Sequence, residues 1–165
     1  MRHIIAILLE NESGSLSRVA GLFSARGYNI ESLTVATTED QSLSRMTIVT
    51  RGSEEILEQI VKQLNKLIDV VKLIDIDLSE SSHIERELMM VKVHASDDAR
   101  GEIKNLCEIY RGNIIDVTAS TYVIEMTGTS AKLDSFIQSI GQGQVIEVVR
   151  SGATGLLRGE KCLSL

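Results

Sequence analysis

Residues 3–37, HIIAILLENESGSLSRVAGLFSARGYNIESLTVAT, decide how this chain folds. An apolar run (HIIAILL) reads as a strand buried on both faces, and the polar loop ENESGS stops it. Leu16, Val19, Ala20 and Phe23 then fall at i, i+3, i+4 and i+7, which makes one apolar stripe along a helix. Arg26-Gly27 ends that helix, and NIESLTVAT begins a second strand. A strand, a helix and a strand within 35 residues form the first half of a split βαβ unit.

The same helical spacing occurs three more times. It appears at Leu57, Ile60, Val61 and Leu64, at Ile103, Leu106, Cys107 and Tyr110, and at Leu133, Phe136, Ile137 and Ile140. Further strands are expected at SRMTIVT, VVKLIDIDL, LMMVKVHA, NIIDVTA, YVIEMTG and QVIEVVR. In VVKLIDIDL, Ile74, Ile76 and Leu78 alternate with Asp75 and Asp77, as in a strand with one wet face. The order strand, helix, strand, strand, helix, strand is thus given twice. Arg26-Gly27 is echoed by Arg111-Gly112, and Asp69-Val70-Val71-Lys72 by Glu147-Val148-Val149-Arg150. The fold class is α+β: two ferredoxin-like βαββαβ domains in tandem, residues 4–78 and 84–160, with the polar segment Ser79–His83 between them. Each unit is small for a self-sufficient core, and HIIAILL has apolar residues on both faces. Association between the halves or between two chains, as a homodimer, is expected.

The first helix has an unusual start. Helix N-termini carry unpaired N–H groups and a partial positive charge, and so favour an anion. Ser53-Glu54-Glu55 and Ser96-Asp97-Asp98 supply one, and Ser130 with Asp134 a weaker version. Gly14-Ser15-Leu16-Ser17-Arg18 supplies none. Either Ser13 or Ser15 caps this helix, or Gly14 leaves its amides open to a ligand anion. Asn11 can both donate and accept beside it, and Asn29-Ile30 opens the next strand. Helix amides for a carboxylate, oxygens for an ammonium, and Leu16 and Ile30 for an apolar side chain together describe a site for a free amino acid.

Composition removes other classes. The chain has 165 residues, a net charge of −6, two Phe, three Tyr and no Trp, which opposes a nucleic-acid surface. No apolar run reaches the ~18 residues of a membrane span, and MRHIIAILLEN lacks the features of a signal peptide. Cys107 and Cys162 are far apart and suit a reducing cytoplasm. His3, His83 and His94 are scattered, so no metal ligand set and no catalytic constellation stands out. The segment SGATGLLRGEK is glycine-rich but lacks a P-loop ending, and a flexible or docking tail is expected. An acylphosphatase would need an arginine in ENESGS, and an RRM would need aromatic residues on its middle strands.

The block N-E-x-G-x-L-x-R-x-x-G-L-F-x-x-R-G-Y-N-I (Asn11–Ile30), with LSRMTIVTRG, RGNIIDVT and RSGATGLLRGEK, resembles the small regulatory subunits of bacterial acetolactate synthase (acetohydroxyacid synthase). The resemblance implies that the N-terminal domain is an ACT domain. Valine would lie between two ACT domains of a dimer, held by Asn11, Gly14, Ser15 and Leu16 of one chain and Asn29 and Ile30 of its partner. Thr34, Ala36 and Gln59 match neighbours tied to feedback sensitivity. The second domain would contact the large catalytic subunit, which would carry thiamine diphosphate, Mg²⁺ and FAD and condense pyruvate with pyruvate or 2-oxobutyrate. This chain would be non-catalytic, with no cofactor of its own. It would activate the large subunit and confer valine inhibition in branched-chain amino acid biosynthesis. A free-standing ACT-type sensor acting on another partner is the alternative.

Overall fold

The computed structural model describes residues 1–76, 83–141 and 143–163, with the backbone alone at Asp97. The chain divides into two units, Met1–Ile84 together with the chain from Ala153 onward, and Glu85–Gly152.

In the first unit the elements are β1 (Arg2–Glu10), α1 (Ser15–Ala25), β2 (Ile30–Thr37), β3 (Leu43–Arg51), α2 (Glu54–Leu64) and β4 (Val70–Ile76). The strands pair antiparallel in the order β2-β3-β1-β4, the ferredoxin-like arrangement. Alternation along β1 separates two cores. Ile5, Ile7 and Leu9 pack with Val19, Leu22 and Phe23 of α1, Met46 and Ile48 of β3, and Leu57, Ile60 and Leu64 of α2. Each fully buried side chain of this size is worth about 1.5–3 kcal/mol in transfer terms. Asp77, Leu78 and Ser79–Ser82, read as a strand end and a domain boundary, lie outside the described residues; His83 opens the next strand.

The other face of β1 answers the question its sequence raised. Ile4 and Ala6 pack with Val49, Ile76 and Ala153, and Leu157 and Leu163 join them. The segment expected to be a flexible or docking tail is therefore docked on its own chain. It includes a short strand after the second unit, Thr154–Leu157 (β9 in chain order). Gly155 lies so close to the sheet that a Cβ there would stand 3.0 Å from Ile76 Cδ1. These residues, read from sequence with the second domain at 84–160, cluster with the first unit, while Thr154–Leu157 pairs with the strand that His83 opens.

The second unit repeats the plan with β5 (His83–His94), α3 (Asp97–Ile109), β6 (Asn113–Val117), β7 (Thr121–Gly128), α4 (Ser130–Ile140) and β8 (Val145–Arg150), in the order β6-β7-β5-β8. Met89, Val91 and Val93 pack with Ile103, Cys107, Leu133, Phe136 and Ile140. Tyr110 meets Phe136 edge-on, with ring centroids 5.3 Å apart.

The Arg-Gly echo turns out to be one residue out of structural step. In the first unit Gly27 (φ +68°) is the left-handed residue after α1, and Tyr28 N–H donates back to Phe23 O. In the second unit Arg111 (φ +56°) takes the left-handed conformation, and Gly112 N–H donates to Cys107 O. Gly112 is instead needed for space, since a Cβ there would meet Cys107 Sγ and Met126 Cε at 3.2 Å.

Candidate functional site

The loop between β1 and α1 bends at Gly14, whose φ of +94° is the left-handed conformation that glycine adopts most easily. Gly14 is the N-cap of α1, no side chain caps the helix, and no acidic residue lies in its first turn. The alternative in which Ser13 or Ser15 caps it is thus not the one adopted. Ser15 N–H donates to Glu12 O at 3.2 Å, so this amide is taken. Among the described residues the N–H groups of Leu16 and Ser17 have no partner.

The contrast with the other helices is only partly as expected. Ser53 Oγ accepts from Ile56 N–H, and Glu54 and Glu55 fill the first turn of α2. Ser96 makes no side-chain cap, and the Asp97 side chain is outside the described residues. In α4 the cap is Thr129, which accepts from Lys132 N–H, and the first turn has no acid. Asp134 pairs instead with Arg150 Nη1 at 2.7 Å, and Arg150 Nε also donates to the buried Glu87 at 3.1 Å. Ser130 Oγ donates to the same carboxylate at 3.0 Å.

A cleft of about 280 Å³ opens beside the start of α1. Asn11, Ser15, Leu16 and Ala36 line it, together with Glu10, Glu12, Val35, Thr37 and Ser44. Leu16, placed by its spacing in the apolar stripe, is 42% exposed, because its side chain faces the cleft rather than the core. Ser15 is only 3% exposed, and its Oγ has no partner at hydrogen-bonding geometry, although the Asp69 carboxylate lies beside it. A buried hydroxyl without a partner carries a desolvation cost, and here it stands in the wall of a cleft.

Asn11 is committed differently from expectation. Its Nδ2 donates to Gln41 O at 2.9 Å, its Oδ1 accepts from Ser44 Oγ at 3.1 Å, and its N–H donates to Ser42 O at 2.7 Å. It therefore ties the β2–β3 turn to the β1–α1 loop and shapes the cleft, with one further amide hydrogen left for a ligand.

An acid from far along the chain is paired with Arg18, which follows the first turn of α1. Asp69, just before β4, is paired with Arg18 through two nitrogens and lies beside Ser15. The Arg18 hydrogen bonds hold its carboxyl below the usual carboxylate range against the opposing effect of desolvation, and nearby Ser15 adds to this. The sequence showed Asp69 only as part of an echo, since no spacing rule links positions 18 and 69.

Asn29 and Ile30 are not part of this cleft within one chain. They stand at the start of β2, while the cleft is lined by Val35–Thr37 at its end, roughly 20 Å along a strand. Asn29 O accepts from Thr50 Oγ1 at 2.6 Å. Thr34 approaches the tail, with its Oγ1 3.5 Å from Ala153 O. Gln59, on α2, accepts from Tyr28 OH at 3.3 Å. Of the nine residues named from sequence, four line the cleft, Gly14 forms the bend between two of them, Asn11 and Ser15, and four lie elsewhere.

Residues 5–72 match the sequence profile of the AHAS small subunit-like ACT domain, and residues 86–159 that of the small subunit of acetolactate synthase. The chain belongs to the acetolactate synthase small-subunit family. It is 57% identical to the acetolactate synthase isozyme 3 small subunit of Escherichia coli (strain K12), over 99% of both chains. It is 50% identical to the probable acetolactate synthase small subunit of Archaeoglobus fulgidus, over 98% of this chain and 99% of that one. The crystal structure of the small subunit from Thermotoga maritima superposes with a TM-score of 0.91 at 40% identity, covering 98% and 99% of the two chains. The first unit of this family member is thus an ACT domain, and the chain is similar over nearly its whole length to acetolactate synthase small subunits. Among the described residues no three His, Cys, Asp or Glu side chains gather as a metal site, and no helix is long and apolar enough to cross a membrane.

Proposed function

We propose that this chain activates the catalytic large subunit of acetolactate synthase in the cytoplasm and makes it sensitive to valine. The observation that carries the ligand reading is the buried, unpartnered Ser15 hydroxyl in the cleft wall beside an uncapped helix start. The Leu16 and Ser17 amides and the Ser15 hydroxyl would hold the valine carboxylate, which the helix end favours electrostatically. Glu10 and Glu12, which line the same cleft, would face the ammonium, and Leu16 and Val35 the isopropyl group. Asn29 and Ile30 would enter from the partner chain of a dimer formed through the ACT domains, where their distance from the cleft in one protomer ceases to matter.

Thiamine diphosphate, Mg²⁺ and FAD would belong to the large subunit. Valine would act by linkage: it binds one arrangement of the paired ACT domains more tightly, and that arrangement holds the large subunit less active. A coupling of about 1–3 kcal/mol suffices for feedback. Calorimetric titration of the pure chain with valine tests the site. Saturable binding that Ser15→Ala weakens is expected, and no heat with any branched-chain amino acid would overturn the reading. Capture of the large subunit by the immobilised chain tests the partner.

A further inference from the structure

The helix-free face of the first sheet holds a second cavity, of about 430 Å³, beneath the docked tail. One side of it is aliphatic, with Ala6, Ile74 and Ile76 from the sheet and Leu156, Leu157 and Leu163 from the tail, while Gly159 and Cys162 complete the tail's share. Arg45 of β3 also lines it and is half-buried. One guanidinium nitrogen, Nη2, donates to Gly155 O at 2.9 Å, and Arg45 has no carboxylate partner among the described residues. Burial among these aliphatic groups pushes its pKa down, with no anion to offset the desolvation. Glu39 and Lys161 also line the cavity, but both are exposed and of opposite sign, which leaves Arg45 as the charge set against the aliphatic wall.

Guanidinium groups out of water are normally matched by an acid, often in two-pronged fashion. From the unmatched Arg45 in an aliphatic cavity, we infer that the space beneath the tail binds a small aliphatic monocarboxylate. The carboxylate lies on the free nitrogens of Arg45, and the hydrocarbon lies between Ile74, Ile76 and the tail leucines. A pocket of this volume with one oriented polar anchor is ordinary for a small-ligand site. An amino acid suits it poorly, because an ammonium would have to be desolvated among aliphatic groups. This site is separate from the cleft at Ser15, yet Arg45 is the register partner of Ala36, which lines that cleft. The inference does not rest on the valine reading.

Equilibrium dialysis of the full chain against radiolabelled isocaproate tests it, with the matching alcohol and valine as competitors. Isocaproate is expected to bind saturably, to resist displacement by excess valine and to resist displacement by the alcohol. Arg45→Met is expected to weaken binding about tenfold or more, the effect of losing one charged hydrogen-bonded anchor. Arg45→Lys, which keeps the charge, is expected to retain the preference for acid over alcohol even if Arg45→Met does not fold. Absent binding, equal binding of the alcohol, unchanged binding by Arg45→Met, or displacement by valine would each overturn the inference. The last result would place the acid in the Ser15 cleft.

Discussion

The guanidinium of Arg18 holds the carboxylate of Asp69 through two nitrogens, with Nη2 2.7 Å from Oδ1. The Asp69 side chain is 6% exposed and that of Arg18 48%, so the acid is the buried partner. Because Asp69 has its carboxyl below the usual value in the folded chain, it binds a proton less readily there than when unfolded. Its stabilising contribution is therefore present above the unfolded carboxylate value and lost as the pH falls through the lowered one. Asp69→Asn should lower the melting temperature at neutral pH and flatten the acid limb of the stability profile. Thermal melts of both proteins across the acid range, at fixed salt, check this.

Gly14 combines a positive φ with crowding, since a Cβ there would stand 3.0 Å from Arg18 Nη1. Gly14→Ala should cost about 1–2 kcal/mol from the left-handed conformation alone. Gly14→Asp should add a negative charge where a ligand carboxylate would lie and abolish valine sensitivity of the reconstituted enzyme. If the aspartate variant loses no more sensitivity than the alanine variant, charge is not the cause.

Asn29→His should weaken valine inhibition while leaving activation largely intact, because Asn29 lies in the first unit, whereas the resemblance implies that the second contacts the large subunit. Assays of the reconstituted complex with and without valine read both effects. Parallel loss of activation would mean the two roles share one surface.

Arg111 is the one described non-glycine residue with positive φ. Arg111→Gly removes the Cβ strain, at some entropic cost in the unfolded chain, and should stabilise the second unit by about 0.5–1 kcal/mol. Urea denaturation should move to a higher midpoint without a change of slope. Gly112→Ala should do the opposite, because its space is taken by Cys107, Met126 and the Glu125 carbonyl.

Ala153 is buried with Ile4, Ala6, Val49 and Ile76. Ala153→Asp would place a charge there with no partner and should destabilise the first unit by about 3 kcal/mol or more. A lowered first transition in calorimetry, with the tail becoming sensitive to protease, is the expected signature.

Local patterns were legible and long-range pairings were not. The helical quartets and alternating strands appear where their periods put them, because burial of one face dictates residue type at that period. Leu16 fits the same period but turns outward, a choice made by the neighbouring strand end rather than by the helix. The Gly14 bend was visible because a glycine before a helix leaves a local mark. The Arg18–Asp69 pair, the Asn11–Gln41 hydrogen bond and the docking of Ala153 join residues far apart in sequence, and no spacing rule reports them. The repeated Arg-Gly suggested equivalent turns, yet backbone geometry assigns the strained position to glycine once and to arginine once.

The docking of Ala153, Leu157 and Leu163 on the sheet that begins at Arg2 has a consequence for biogenesis. During translation the earliest strands leave the ribosome well before the segment that shields their helix-free side. A nascent chain therefore carries a sticky aliphatic patch until residues 153–163 follow, and a premature stop before residue 153 would leave that patch bare, a target for chaperones and proteases.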